Sequence, residues 1–379
     1  MSSSLRIHRV FPQNKKASYK ELESLDFDLT FPNRKLICNS VRIEGKVKVF
    51  TTGTTRTLHT TNIFVDNMVG ANVFIESMET SAQNKGILEN SQNMPRYHKM
   101  VSTGSATATD MSNLSNACEL KTQNVRASRD IFCGVANAST DNQVPDPNNL
   151  DPMDFSVKPL FILNQVQRGQ AGGDVNLDNS TMGDIRVSVR LNSNVSSLWG
   201  TDQVSGSSFE LSDVSLSFHS LPSDGQQSKL VMRTKQLIRQ TINSGLANVS
   251  VNVPQMTNGV SSSFLLQSSA NSQYHNNVQL DRPPAVSLVE FTVNDSPSDF
   301  ITFQLSNEQQ ILQYYLDSIS NSKVNRFTPS YEAADEAFGI GCKFGDLLDL
   351  SKDRFGLNIS SATTTPYNIY LFFHGMVFV

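Results

Sequence analysis

Phe209-Glu-Leu-Ser-Asp-Val-Ser-Leu-Ser-Phe-His-Ser-Leu221 decides how the rest of the chain is read. Phe209, Leu211, Val214, Leu216 and Phe218 alternate with polar residues, which is the period of a strand with one buried face. The alternation slips once, at Ser212–Asp213, and predicts a β-bulge there. Pro222-Ser-Asp-Gly225 follows with turn chemistry, since proline sets φ and glycine permits positive φ. Beyond the turn, Leu230, Val231, Thr234, Leu237, Ile238, Thr241 and Ile242 fall on one side of a helix. Ser228 is placed to cap its start and Gly245 its end. Lys229, Arg233, Lys235 and Arg239 are expected on its solvated face. The stretch 209–245 therefore reads as a strand, a turn and a helix that join two β-domains.

Working outward, the same two-residue period recurs on both sides. Leu25, Phe27 and Leu29 alternate, as do Val41, Ile43, Val47 and Val49 with Gly45 among them. Ile185-Arg-Val-Ser-Val-Arg-Leu191 alternates without error, and Phe155–Leu163 is strand-like with Pro159 marking a bend or an edge. After the joint, Val249–Val253, Ser287–Val293, Phe300–Leu305, Phe338–Phe344 and Phe355–Ile359 read as strands. A second helix is expected from about Ser306, with Ile311, Leu312, Tyr315, Leu316 and Ile319 on one face. Residues 87–100 have room for a short helix limited by Pro95. Tyr367–Val379 is an apolar run expected to lie inside a sheet, because an exposed one would invite aggregation.

Composition narrows the class. The chain has 379 residues, enough for two ordinary domains, and only 17% are charged. Ser, Thr, Asn and Gln fill the gap. The net charge of −4 gives no overall pull toward nucleic acid or anionic membrane. Residues 1–20 are the exception: Arg6, Arg9, Lys15, Lys16 and Lys20 occur with no acid. That is a basic arm, either solvated or docked on a neighbour, a nucleic acid or an anionic lipid surface. Met1-Ser-Ser-Ser-Leu5 is followed by no apolar core, so no secretory signal is expected, and no run approaches a membrane span. Cys38, Cys118, Cys133 and Cys342 form no CxxC pair and read as buried free thiols.

Chemistry-bearing motifs are missing. There is no phosphate loop, nucleophile elbow or paired metal-ligand histidine; Gly339-Ile-Gly341 is a lone GxG. The histidines at 8, 59, 98, 219, 275 and 374 are scattered, and His219 and His374 fall on predicted strands as packed or edge residues. Asp346, Asp349 and Asp353 lack the order of a calcium loop and read as a turn with local ion pairs. No catalytic, cofactor-binding or metal residue is assigned, no cofactor is expected, and the chain is not read as an enzyme.

The layout resembles the double jelly-roll major capsid proteins, the lineage of tailless membrane-containing bacteriophages, adenovirus hexon, virophages and Polinton-like viruses. Phe155–Leu163 and Ile185–Leu191 resemble late strands of a first roll, and Phe209–Phe218 its last strand. The helix at 228–243 resembles the connector. Phe338-Gly-Ile-Gly-Cys-Lys-Phe344 and Pro366-Tyr-Asn-Ile-Tyr-Leu-Phe-Phe-His-Gly-Met376 resemble closing strands of a second roll. The fold class so implied is mainly β, two tandem jelly-roll β-sandwiches with a few short helices, one at the joint. The corresponding divisions are a basic arm at 1–24, a first roll at 25–222, a turn and helix at 223–246 and a second roll at 247–379. The resemblance implies a capsid protein that associates with itself as a homotrimer, pseudo-hexagonal in outline, and then capsomer to capsomer in an icosahedral shell. It further implies minor capsid and penton proteins as partners, an internal membrane met through the basic arm, and no small-molecule substrate. The place of action would be the virion, after synthesis in the host cytoplasm or nucleus. Two other readings stay open: a single jelly-roll penton or minor capsid protein, and a non-viral β-sandwich carbohydrate-binding module. The lone Trp199 argues mildly against the latter.

Overall fold

The computed structural model describes residues 4–51, 63–66, 68–105, 119–120, 152–168, 175–200, 207–227, 229–243, 246–253, 256–266, 278–282, 286–294, 296–303, 308–319, 339–361 and 366–379. Cys118, Cys133, His59, His275, Ser228 and Gly245 lie outside these residues.

Four sheets make two sandwiches. The first sheet is built on the long strand Ser207–Pro222 (β14), flanked by Arg34–Ile37 (β4), Arg42–Thr51 (β5), Arg6–Val10 (β1) and Ser18–Lys20 (β2). Met153–Val157 (β9) and Asn176–Asp178 (β11) complete it. Facing it are Ser24–Leu29 (β3), Ile185–Leu191 (β12), Ile75–Ala82 (β7) and Gly86–Ser91 (β8), in that order. The second sandwich pairs a sheet of Val166–Arg168 (β10), Leu230–Ile242 (β15), Tyr367–Phe378 (β22), Met256–Leu266 (β17) and Gly339–Asp349 (β20) with another. That other sheet runs Leu246–Val251 (β16), Phe355–Ser361 (β21), Val286–Val293 (β18) and Ser296–Phe303 (β19). A small ribbon joins Ile63–Phe64 (β6) to Trp199–Gly200 (β13). Four α-helices among the described residues are Met94–Ser105 (α1), Asn179–Met182 (α2), Asn194–Ser197 (α3) and Glu308–Ile319 (α4), beside short 3-10 turns at Gly70–Phe74 and Ile162–Asn164. These are two jelly rolls.

The bulge sits where the alternation slips. β14 pairs β5 in one register up to Ser212 and in another from Ser215, and Asp213 takes a left-handed φ of 52°. One extra residue flips the parity, so Phe209 and Leu211 before it and Val214, Leu216 and Phe218 after it all enter the same core. Gly45 lies opposite this point; a Cβ there would come within 3.1 Å of both the Phe155 ring and the Ser212 carbonyl oxygen.

The expected connector helix is a strand. Leu230–Ile242 forms β15, paired antiparallel with β22 from Val231↔Phe378 to Ile242↔Tyr367. Leu230, Met232, Thr234, Ile238 and Ile242 satisfy a period of two as well as the helical pattern, and the segment is rich in β-branched residues, which favours the strand. Pairing with the most apolar strand of the chain decides between the two periods, since tertiary context overrides local propensity. Leu230 and Met232 enter the first core while Ile242 enters the second. β22 behaves likewise: Ile369, Leu371 and Phe373 belong to the second core, and Val377 and Val379 pack on the first. Leu237 and Ile238, neighbours on one side of the expected helix, point to opposite faces of the strand.

The N-terminal arm is not separate either. β1 and β2 both pair with β14, and the His8 ring stacks on Phe218 with centroids 4.6 Å apart. Arg34 ties β1 down by donating to the Ser4 carbonyl and to Ser220 Oγ. Of the other two expected helices, the one near Ser306 forms as α4 from Glu308, and the one at 87–100 forms only from Met94, because Gly86–Ser91 is the strand β8. Pro95 lies in the first turn of α1, where its missing N–H costs nothing.

The strand assignment has a simple test. Met232→Ala, at a fully buried position, is expected to lower stability by about 2–5 kcal/mol, and Val231→Ala, half-buried on the other face, by about 1 kcal/mol. Urea unfolding of the two variants measures the difference.

Candidate functional site

Arg96, Glu89 and Lys235, three of the buried charged residues, lie where the rolls meet. α1 leaves the first roll and lies against the outer face of the sheet that holds β15, β22 and β17. Lys99 holds it to the first roll through Asp66, at 2.7 Å. Tyr97 and Met100 then pack with Leu265, Leu280, Tyr315, Ile319, Tyr370 and Phe372 in a third apolar cluster, which contains residues of both rolls.

Arg96 is fully buried in this joint. It donates to the Gln279 carbonyl at 2.8 Å, and its guanidinium lies 4.1 Å above the Tyr370 ring. Burial pulls its pKa down to about 10, against the pull of Tyr370 and Asp281. An arginine suits this place because it stacks on a ring while its Nη1 reaches main-chain carbonyls; Nε and Nη2 are buried without a hydrogen-bond partner.

The second buried charge is an ion pair. Lys235 Nζ, on β15, lies 3.3 Å from Glu89 Oε1, on β8 of the first roll, with both side chains almost wholly sealed. Glu89 is saturated by the joint: it also accepts from the Lys235 amide at 3.1 Å and the Ile162 amide at 2.7 Å. Lys235 Nζ donates further to the Leu160 carbonyl and stands 4.8 Å from the centre of the Tyr97 ring. Burial lowers the Lys235 pKa and Glu89 opposes that shift. The basic face expected in solvent is thus partly inside: Lys235 is buried and Arg233 half-buried, while Arg239 stays exposed over Tyr370.

His374, on β22 beside Lys235, is bonded to Ser261 Oγ through Nε2 at 2.8 Å and faces Tyr97 with ring centroids 5.9 Å apart. His219 is a half-buried residue of β14. The lone GxG has a packing role. A Cβ on Gly339 would fall 2.3 Å from the Tyr315 ring, and one on Gly341 2.0 Å from Ser318 Oγ, so the two glycines let α4 lie directly on β20. Asp349 pairs with Lys352 at 3.0 Å in the turn after β20. Cys38 and Cys342 are buried free thiols.

Among the described residues, no group of three or more His, Cys, Asp or Glu is placed to hold a metal ion, and no helix is long and apolar enough to cross a membrane. A shallow groove of about 270 Å³ lies beside the bulge, with Arg9, Lys46, Asp154 and Asp213 around Phe155. Lys46 and Asp213 pair with each other there at 3.3 Å. Sequence reasoning missed Glu89 and Arg96, because their partners lie 73 or more and 167 or more residues away.

Two jelly-roll sandwiches in one chain make a double jelly-roll fold. The same fold is found in the mavirus major capsid protein, with TM-score 0.55 and 10% identity over 98% of this chain and 90% of that one. A chain of the Sputnik virophage superposes with TM-score 0.57 and 10% identity, covering 100% and 87%. The Faustovirus major capsid protein gives 0.53 and 7%, covering 100% and 90%. No protein-family model matches the chain, and no curated protein matches it in sequence.

Two variants probe the joint. Lys235→Met alone leaves Glu89 without its counter-ion in the interior, and is expected to cost about 3–5 kcal/mol; adding Glu89→Leu is expected to recover most of that loss. Equilibrium unfolding of the single and double variants measures both. Gly339→Ala, which forces Tyr315 off β20, is expected to lose about 1–3 kcal/mol in the same assay.

Proposed function

We propose that this chain is a viral major capsid protein that works by association, not by catalysis. The observation that carries this reading is the fixed coupling of two jelly rolls on one chain through β15 and β22. Three copies around an axis then present six similar rolls, which is a pseudo-hexagonal capsomer able to tile an icosahedral shell. The shared fold with the mavirus and Faustovirus major capsid proteins supports it. The division into rolls at 25–222 and 247–379 belongs to the same proposal, with the arm at 1–24 adding β1 and β2 to the first roll's sheet and the connecting segment at 223–246 adding β15 to the second. So does the assignment of no catalytic, cofactor or metal residues.

Partners follow from that role. The chain meets further copies of itself within and between trimers, and minor capsid and penton proteins where the lattice needs them. We assign the N-terminal face to an internal membrane: Leu5, Ile7 and Phe11 are exposed on it beside Arg6, Arg9 and Lys15, an apolar and cationic combination suited to an anionic lipid surface. The place of action is the virion, after synthesis in the host cytoplasm or nucleus.

Purified protein is expected to run in light scattering at about three times the 41.8 kDa of one chain, and to show hexagonal particles in electron micrographs. A stable monomer would overturn the proposal; a pentamer would favour a penton role instead.

A further inference from the structure

A buried amine, a side-chain amide and a carboxylate meet at the joint between the rolls. β10 pairs with β15 so that Val166 lies opposite Met232, and the Arg233 amide donates to the Gln165 carbonyl at 3.0 Å. Gln165 and Lys235 are thereby diagonal neighbours on one face of the two strands. Lys235 Nζ stands 3.5 Å from Gln165 Oε1 and 3.3 Å from Glu89 Oε1. We propose that Lys235 and Gln165 join through an isopeptide bond formed inside the folded chain, with Glu89 taking the proton that frees the amine. The proposal concerns the chain itself and stands apart from whether a shell forms.

Each group is held where the reaction needs it. Glu89 is fixed by the Ile162 and Lys235 amides. Lys235 Nζ is fixed by the Leu160 carbonyl and lies 4.8 Å from the centre of the Tyr97 ring. Lys235 and Glu89 are only 3% and 4% exposed, so water competes little for the amide. Gln165 is half-buried, which gives a leaving group a way out. Its side chain is also bonded to the Tyr97 hydroxyl, so the amide is held between an amine and a phenol. Attack needs Nζ at roughly 3–3.5 Å from Cδ. A turn of the amide about χ3, a soft torsion, trades the contact with Oε1 for that one.

The atoms balance without an oxidant or a co-reactant. Glu89 takes one proton from the Lys235 ammonium and leaves a neutral amine, the nucleophilic form. Burial favours that form by lowering the Lys235 pKa, and Glu89 opposes the shift. Attack forms the bond from Nζ to Cδ of Gln165. As the bond from Cδ to Nε2 breaks, the departing nitrogen gains a second proton from Nζ, relayed by the Tyr97 hydroxyl. Ammonia then leaves as ammonium with the proton that Glu89 held, and Glu89 is a carboxylate again. The product ties β10 to β15 covalently across a separation of 70 residues. Such a cross-link stabilises the fold by restricting the unfolded chain.

Mass spectrometry of the full chain, kept folded in neutral buffer and sampled over time, tests this. The wild type is expected to become lighter by one ammonia. Trypsin is then expected to release a branched peptide that joins 130–168 to 234–239 and is uncut at Lys235. Lys235→Arg is expected to lose no ammonia, and Glu89→Gln to lose it about 100-fold or more slowly. A wild-type chain that is still cut at Lys235 after long incubation, with Gln165 unmodified, refutes the bond. A loss of ammonia that maps elsewhere, such as Asn258 before Gly259, refutes it equally. A folded Glu89→Gln chain that links as fast as the wild type removes Glu89 from the step. Should that variant fail to fold, the wild-type peptide map still decides whether the bond exists.

Discussion

Everything in this structure hangs on the hydrogen-bonded ladder between β15 and β22. The two strands run together from Val231↔Phe378 to Ile242↔Tyr367, and each sends side chains into both roll cores. Two β-domains joined by a loop or a single helix could rock about the connector. Here the connector is a strand paired along its length, so any relative movement must break main-chain hydrogen bonds or slide a register that the two-residue period fixes. β10, from the first half of the chain, adds to the same sheet on the far side of β15. The orientation of the rolls is set by backbone geometry, and side chains refine it.

That refinement is electrostatic as well as apolar. A chain with only 17% charged residues places Arg96, Lys235 and Glu89 deep in the contact between its halves. Apolar residues of the same size would stabilise the joint as well or better, because sealing charges from water is expensive. What the charges add is intolerance of error. A shifted joint would leave Glu89 or Lys235 buried without its partner, whereas a shifted apolar contact would lose only part of its area. The accurate pairing of two similar sandwiches, each able to bury a sheet face against many alternatives, benefits from such a penalty.

Much of the fold was legible because strands with one buried face advertise themselves. Ile185–Leu191 shows buried residues at every odd position, as its letters say, and even the slip at Ser212–Asp213 became a bulge in the register with β5. The segment 230–242 misled because Leu230, Val231, Thr234, Leu237, Ile238, Thr241 and Ile242 fit a helical face while Leu230, Met232, Thr234, Ile238 and Ile242 fit a strand face. Nothing local separates them except β-branching, and the deciding partner, β22, lies more than a hundred residues downstream. Lys235 looked solvated for the same reason. Its carboxylate is on β8, in a stretch whose letters suggested at most a helix limited by Pro95. The Gly339-Ile-Gly341 pair was visible but its purpose was not, since only the packed structure brings Tyr315 and Ser318 onto it.

The distribution of buried polar groups bears on function. Enzymes converge their perturbed groups on a cleft open to substrate. In this chain three strongly perturbed groups, Arg96, Tyr97 and His374, lie at a seam between two domains, while the perturbed thiols of Cys38 and Cys342 lie in the separate roll cores. The exposed features are of another kind: Leu5, Ile7 and Phe11 along an N-terminal edge strand, and Phe378 near the end of β22. Apolar side chains scattered singly on a surface are ordinary, and only a contiguous patch would mark a contact. Buried charges at the seam and exposed apolar groups near the two ends of the chain are thus set apart from each other.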